Sequence, residues 1–340
     1  MALLEVEDLD VRFYTEGGVV HAVDGLSYTL DRGERLGVVG ESGAGKTVAA
    51  LAILDLLDDP GRIEGGSIRV DGEEVLGADP ERLRRLRGGE VGMVFQDPET
   101  ALDPVYTVGE QVAEAVRVHT DLDGAAADDR AVSLLDRVGI PDPATRATQY
   151  PHEFSGGMAQ RAVVAIALAG DPDLLIADEP TTALDVTIQA QLLDLLDELA
   201  ADDLAVQLIS HDLGVVAEFC DRALVMYAGQ AVESASVDDL FYRPQHPYTA
   251  GLLSAVPRIG DDRDRLRTIP GSTPDLAAPP PGCRFHPRCP YAEDACTKRD
   301  PPLVAVDGDD HRAACLAHVD DADFDGDLDF YVEVDGEADP

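Results

Sequence analysis

Lysine is almost absent from this chain. Of its 26 basic residues only Lys46 and Lys298 are lysines, and the rest are arginine. Positive charge as a whole is scarce: 67 Asp and Glu face those 26 bases, for a formal net charge of -41. A surface of that sign argues against nucleic acid as a partner, because phosphate binding needs a basic face. Long apolar runs are missing too. The longest uncharged one, Ala162–Gly170, falls well short of the roughly 18 residues that cross a bilayer. The opening residues, MALLEVEDLDVRF, lack the basic-then-apolar layout of a signal peptide. These absences predict a soluble protein of the cell interior.

What is present is enough to fold. Hydrophobic residues make up 45% of the 340 residues, which excludes wholesale disorder. The length predicts two domains, or one large domain with an appendage. Dense like charge repels itself in the folded state. Screening at molar salt, where the Debye length is about 3 Å, makes such a surface tolerable. The acid excess runs through the whole chain, and with so little lysine it predicts a halophilic protein.

Composition divides the chain. Residues 1–235 alternate apolar strand-like runs with helical stretches, the pattern of an α/β sheet protein. Past Glu233 the sequence turns rich in Pro, Arg and Cys, and an appendage is expected over 236–319. Asp320 to Pro340 holds ten acids and no Lys or Arg, which predicts a solvated tail. In the first part, Arg35–Val39, Leu174–Ala177 and Ala205–Ile209 read as buried strands, and Thr47–Leu57 as a helix. Residues 107–140 and 158–169 have helical patterns, so a helical subdomain is expected at about 100–165.

Gly40-Glu41-Ser42-Gly43-Ala44-Gly45-Lys46-Thr47 fits the phosphate-loop pattern G-x-x-x-x-G-K-[ST], and it lies between a strand and a helix as the pattern requires. Glycines let backbone N–H groups point inward around a phosphate chain, and the helix N-terminus adds positive potential. Lys46 is the candidate cation for the β- and γ-phosphates, and the Thr47 hydroxyl is a candidate Mg²⁺ ligand. A second metal ligand belongs at a neighbouring strand end. Leu174-Leu-Ile-Ala-Asp178-Glu179 supplies Asp178 for the metal, directly or through water, and Glu179 as candidate general base. His211 and Gln96 each follow an apolar strand. A strand-end histidine or glutamine is commonly structural, and these two gain weight only from the company they keep.

Phe154-Ser155-Gly156-Gly157-Met158 resembles the LSGGQ signature of ABC ATPases. The order phosphate loop, Gln96, Ser155-Gly156-Gly157, Asp178-Glu179, Asp185, His211 follows that family throughout, with Met158 the departure at the motif's edge. The resemblance implies a P-loop NTPase core and a Mg²⁺-ATP site completed by Gln96. It also implies that the Ser155–Gly157 element and Asp185 act on ATP in a dimer, the former capping ATP held by an opposite subunit. Phe13 would stack on adenine, with Tyr14 as the alternate. The wording IADEPTTALDVTIQAQ at 176–191, YPHEFSGG at 150–157 and His246-Pro-Tyr248 is similar to the D-type ATPases of oligopeptide and dipeptide importers. That likeness implies a second ATPase subunit (an F-type paralogue or self), two membrane permeases, an extracellular solute-binding protein at one remove, and a place on the cytoplasmic face of the membrane. The residues after Gln96 are then expected to meet a permease.

Four of the five cysteines, Cys283, Cys289, Cys296 and Cys315, cluster in the appendage, while Cys220 stands apart as an expected buried hydrophobe. In an interior protein such a cluster favours metal over disulfides. Four thiolates suit zinc or iron–sulfur, though the spacing lacks the C-x2-C knuckles of most zinc sites. The importer resemblance implies a [4Fe–4S] cluster. Arg284, Arg288 and Arg299 are expected either to offset thiolate charge near the site or to be surface residues. The expected function is an ATP-hydrolysing importer subunit for peptides, or for nickel or oligosaccharides. A soluble ABC ATPase of DNA repair or translation is the rival, disfavoured by the short Gln96-to-Ser155 interval and the single cassette.

Overall fold

The computed structural model describes residues 2–96, 101–182, 185–201, 203–255, 268–308 and 310–324, with Gly326 and Leu328. The strands are β1 (Ala2–Thr15), β2 (Gly18–Asp31), β3 (Arg35–Val39), β4 (Gly61–Val70), β5 (Glu73–Glu74) and β6 (Val91–Val94). They continue with β7 (Leu174–Asp178), β8 (Ala205–Ser210), β9 (Arg222–Tyr227), β10 (Gln230–Ser236), β11 (Val304–Asp307) and β12 (His311–Ala313). They make an antiparallel sheet of order β2-β1-β4-β5 and a mixed sheet of order β11-β12-β10-β9-β3-β8-β7-β6. From β9 through β6 the mixed sheet is parallel.

The parallel strands are buried on both faces, which is why they read as unbroken apolar runs. Alternate residues face opposite layers. Leu36, Val38, Leu174 and Ile176 pack toward the antiparallel sheet, while Val39, Leu175 and Ala177 pack toward the helical side. Helix Lys46–Ile53 lies in the first layer, where Ala49, Ala50 and Ala52 are buried. Helices Val108–His119, Gly124–Arg137 and Gly156–Ala167 contribute to the second, over the stretches whose period predicts them. The antiparallel sheet has no counterpart in the sequence reading, and β1 shows why. Its register shifts break the alternation that marks a strand.

Helix Lys46–Ile53 is shorter than the expected Thr47–Leu57. Its apolar run goes on, but Asp55 takes a left-handed φ of 50°, a conformation that closes helices. The appendage joins the main sheet, because β12 pairs with β10 and β11 with β12. Glu233 of β10 fastens this junction from a fully buried position. Its carboxylate accepts from the backbone N–H of Gln245 (2.6 Å) and His246 (2.9 Å), and lies 2.9 Å from His311 Nε2. At the start of the acidic tail Asp320, Asp321 and Asp323 are exposed, while the half-buried Phe324 and Leu328 line a cavity in the appendage. Among the described residues no helix is long and apolar enough to cross a membrane.

Glu233→Ala would take the acceptor from the backbone N–H groups of Gln245 and His246 and remove the partner of buried His311, at a cost of about 3 kcal/mol or more. Denaturant unfolding of the variant is expected to show that loss, and an unchanged midpoint would show the junction to be unimportant.

Candidate nucleotide site and thiol pocket

The four loops that leave β3, β8, β7 and β6 emerge on one edge of the parallel sheet, where open α/β sheets bind ligands. After β3 the chain must turn sharply and stay close to its neighbours. Gly45 has φ 99°, and a Cβ there would stand 2.3 Å from the Ala22 carbonyl oxygen, so only glycine fits. Helix Lys46–Ile53 then begins with its N–H groups at this edge. Lys46 Nζ, largely buried, donates to the carbonyls of Gly40 (2.8 Å) and Glu41 (3.2 Å). Burial lowers its pKa, against the opposing pull of Glu179 and Asp178.

Thr47 Oγ1 donates to Asp178 Oδ1 at 3.2 Å. Burial raises the Asp178 pKa, and the Thr47 bond only partly offsets it. A hydroxyl and a carboxylate side by side form the kind of hard oxygen pair that Mg²⁺ takes, and both residues fit that ion. The next residue, Glu179, has a left-handed φ of 47°, an uncommon conformation that turns its side chain out of the strand line. Three side chains meet its carboxylate at Oε2: Gln96 Nε2 at 3.0 Å, Thr182 Oγ1 at 2.9 Å and His211 Nδ1 at 3.3 Å. Gln96 and His211, ambiguous alone, are thus brought together on the candidate base. Thr182 escaped the sequence reading, and its signal was its place three residues past Glu179.

The remaining candidates lie apart from this group. Ser155 caps helix Gly156–Ala167, its Oγ accepting from the Met158 N–H at 3.3 Å. A Cβ on Gly156 would meet nothing within 4 Å, whereas one on Gly157 would stand 2.6 Å from Ile188 Cγ2. Among the described residues no hydrogen bond links Ser155–Gly157 to the phosphate loop. Asp185 caps helix Val186–Ala200 by accepting from Thr187 N and Ile188 N, both at 3.0 Å. Phe13 is half-buried on β1 and packs on the cluster that holds Ala44 and Ala49. Its alternate Tyr14 is exposed and donates to Glu64 at 2.8 Å. Residues 97–100, the first of those expected to meet a permease, lie outside the described residues.

Cys283, Cys289, Cys296 and Cys315 line one apolar cavity, together with Phe285, Phe324 and Leu328 among others. Burial pushes the thiols of Cys283 and Cys289 up to about 12 and that of Cys315 to about 11. Among the described residues no three His, Cys, Asp or Glu side chains converge as the ligands of one metal ion. The expected role of the neighbouring arginines needs correction. Arg284 binds Asp24 and the Ala228 carbonyl, Arg288 binds Glu41, and Arg299 binds Asp321. In so acidic a chain each guanidinium has a carboxylate to bind. Cys220 is buried as expected.

Two family profiles match, ABC transporter over residues 23–182 and oligopeptide/dipeptide transporter, C-terminal region, over 232–296. The dipeptide transport ATP-binding protein DppD of Escherichia coli (strain K12) is 48% identical, across 95% of this chain and 98% of that protein. The oligopeptide transport ATP-binding protein OppD of Mycobacterium tuberculosis (strain ATCC 25618 / H37Rv) is 55% identical, across 92% of this chain and 52% of that protein. A solved dimeric structure of a bacterial ABC transporter cassette matches with TM-score 0.62 at 25% identity, covering 69% of this chain and 98% of that one.

Glu179→Gln is expected to cut ATP turnover by about 10²-fold or more while nucleotide binding persists. Lys46→Met is expected to lose binding itself. Calorimetry and phosphate release separate the two, and wild-type turnover in Glu179→Gln would remove Glu179 from the hydrolytic step.

Proposed function

The chain belongs to the ATP-binding subunits of ABC transporters, which are ATPases, and from that premise we propose that it powers uptake of peptides across the cell membrane. The match of residues 232–296 to the oligopeptide/dipeptide C-terminal region carries the solute class, and the printed functions of the two relatives support it.

The side chains divide the work. The loop N–H groups and Lys46 receive the phosphates. Thr47, Asp178 and Gln96 would hold Mg²⁺, which when bound offsets charge on the phosphate oxygens. Glu179 polarises the attacking water. Gln96, Thr182 and His211 keep its carboxylate aimed, and His211 also approaches the γ-phosphate. Phe13 stacks on adenine. Ser155–Gly157 and Asp185 serve the second nucleotide of a dimer. The helix N-terminus at Ser155–Gly157 supports this last role, because its backbone N–H groups favour an anion. The partners are a second ATPase, paralogue or self, and two permeases fed by a binding protein. The chain then sits peripherally on the cytoplasmic membrane face. We assign residues 1–235 to the nucleotide-binding domain and 236–319 to the extension.

The four cysteines are read as ligands of a [4Fe–4S] cluster. That all four thiols line one cavity supports this reading. The acid-rich surface is read as an adaptation to molar salt.

Reconstitution with its permeases tests the function: peptide should stimulate ATP turnover and accumulate inside vesicles, and turnover indifferent to peptide would overturn the solute class. Anaerobically purified protein is expected to hold about four iron and four sulfide per chain, and metal-free protein would sink the cluster. ATP binding is expected to fade as KCl falls below molar, so full activity in dilute buffer would refute the salt adaptation.

A further inference from the structure

We propose that Arg288 of the C-terminal extension is a positioning residue of the nucleotide site, holding and neutralising the Glu41 carboxylate so that the phosphate loop can accept ATP. The inference rests on reading Gly40–Thr47 as the ATP loop.

Glu41 is the second residue of that loop, and a free carboxylate there would repel a triphosphate across a short, poorly screened distance. Arg288 removes the problem. Its Nη1 donates to Glu41 Oε2 at 2.7 Å and its Nη2 to Oε1 at 3.0 Å, the two-pronged geometry that only arginine offers. The guanidinium is itself fixed: Nε donates to the Pro270 carbonyl at 2.9 Å, Nη1 reaches Tyr227 Oη at 3.3 Å, and the side chain is 6% exposed. The extension grips the same residue a second time, since Tyr248 Oη accepts from the Glu41 backbone N–H at 2.9 Å. Tyr248, Tyr227 and Phe285 pack as one aromatic group, with ring centroids 4.6 to 5.4 Å apart. From Glu41 the chain of contacts is one step from the phosphate-binding cation, because the Glu41 carbonyl accepts from Lys46 Nζ.

A staple that merely joins two parts of the fold would affect stability alone. The proposal requires more: without Arg288, Glu41 opposes the ligand, and removing its charge restores binding. The test is calorimetric titration of full-length protein with Mg²⁺-ADP at molar KCl. Arg288→Met is expected to weaken ADP binding about 10-fold and to raise KM for ATP, with kcat changed less than about twofold. Arg288→Met/Glu41→Gln is expected to return to within about threefold of wild type, and Arg299→Met, which breaks a surface pair in the same extension, to bind as wild type. ADP affinity unchanged in folded Arg288→Met, or a double variant as weak as the single, overturns the proposal. If circular dichroism shows Arg288→Met unfolded, Arg288→Gln serves, since it keeps a polar side chain and gives up the charge. About threefold weaker binding, relieved by Glu41→Gln, supports the proposal, and unchanged affinity overturns it. Wild-type protein that binds no ADP removes the nucleotide-site reading, and the proposal with it.

Discussion

The nucleotide edge depends on the parallel pairing of β3, β8, β7 and β6. Parallel strands release their following loops on the same side, so residues far apart in sequence meet without any long-range signal in the side chains themselves. Val39 lies beside Ser210, Asp178 beside Ile209, and Val94 beside Ala177. Those registers set Thr47 against Asp178, and Gln96 and His211 against Glu179. A one-residue slip in β7 would turn Asp178 to the other face of the sheet. Its carboxylate would then leave Thr47, so the strand registers govern the hydrolytic geometry as strictly as the motif residues do.

That edge was legible in the sequence because each of its parts is a short local pattern: an apolar run, then a glycine or a polar residue at a fixed offset. The helical layer was legible through its period. The antiparallel sheet was not, since bulges in β1 interrupt alternation and its strand pairing is non-local. The end of helix Lys46–Ile53 was missed for a related reason. A left-handed aspartate stops it, and no apolar pattern reports a backbone dihedral. Gln96 and His211 had no decisive signal of their own, and their meaning came from convergence on Glu179.

The extension shows the same limit more sharply. Cysteine spacing announced the thiol pocket, but spacing does not say where the intervening residues reach. Arg284 and Arg288 each sit beside a cysteine in sequence, yet both guanidiniums leave the pocket for carboxylates of the nucleotide domain. Sequence adjacency predicted charge compensation of thiols; burial decided otherwise. A buried arginine needs a charged, hydrogen-bonding partner, and the carboxylates of Asp24 and Glu41 supply it.

The scarcity of lysine acquires a physical meaning at this site. The buried arginines are committed to carboxylates: Arg284 to Asp24, Arg288 to Glu41 and Arg82 to Glu90. Their planar, many-donor heads make two or more bonds at once, and that multiplicity ties them down. Lys46 is held differently, by the carbonyls of Gly40 and Glu41. A compact ammonium on a flexible stem can exchange neutral carbonyls for phosphate oxygens at small cost, whereas an arginine in a bidentate ion pair must first break a charge-assisted contact. Where acid is this abundant, a cation kept for an incoming anion has to be one that its surroundings have not already claimed. Lysine on backbone carbonyls meets that requirement at the loop, while arginine on Glu41 shields the loop from the carboxylate beside it.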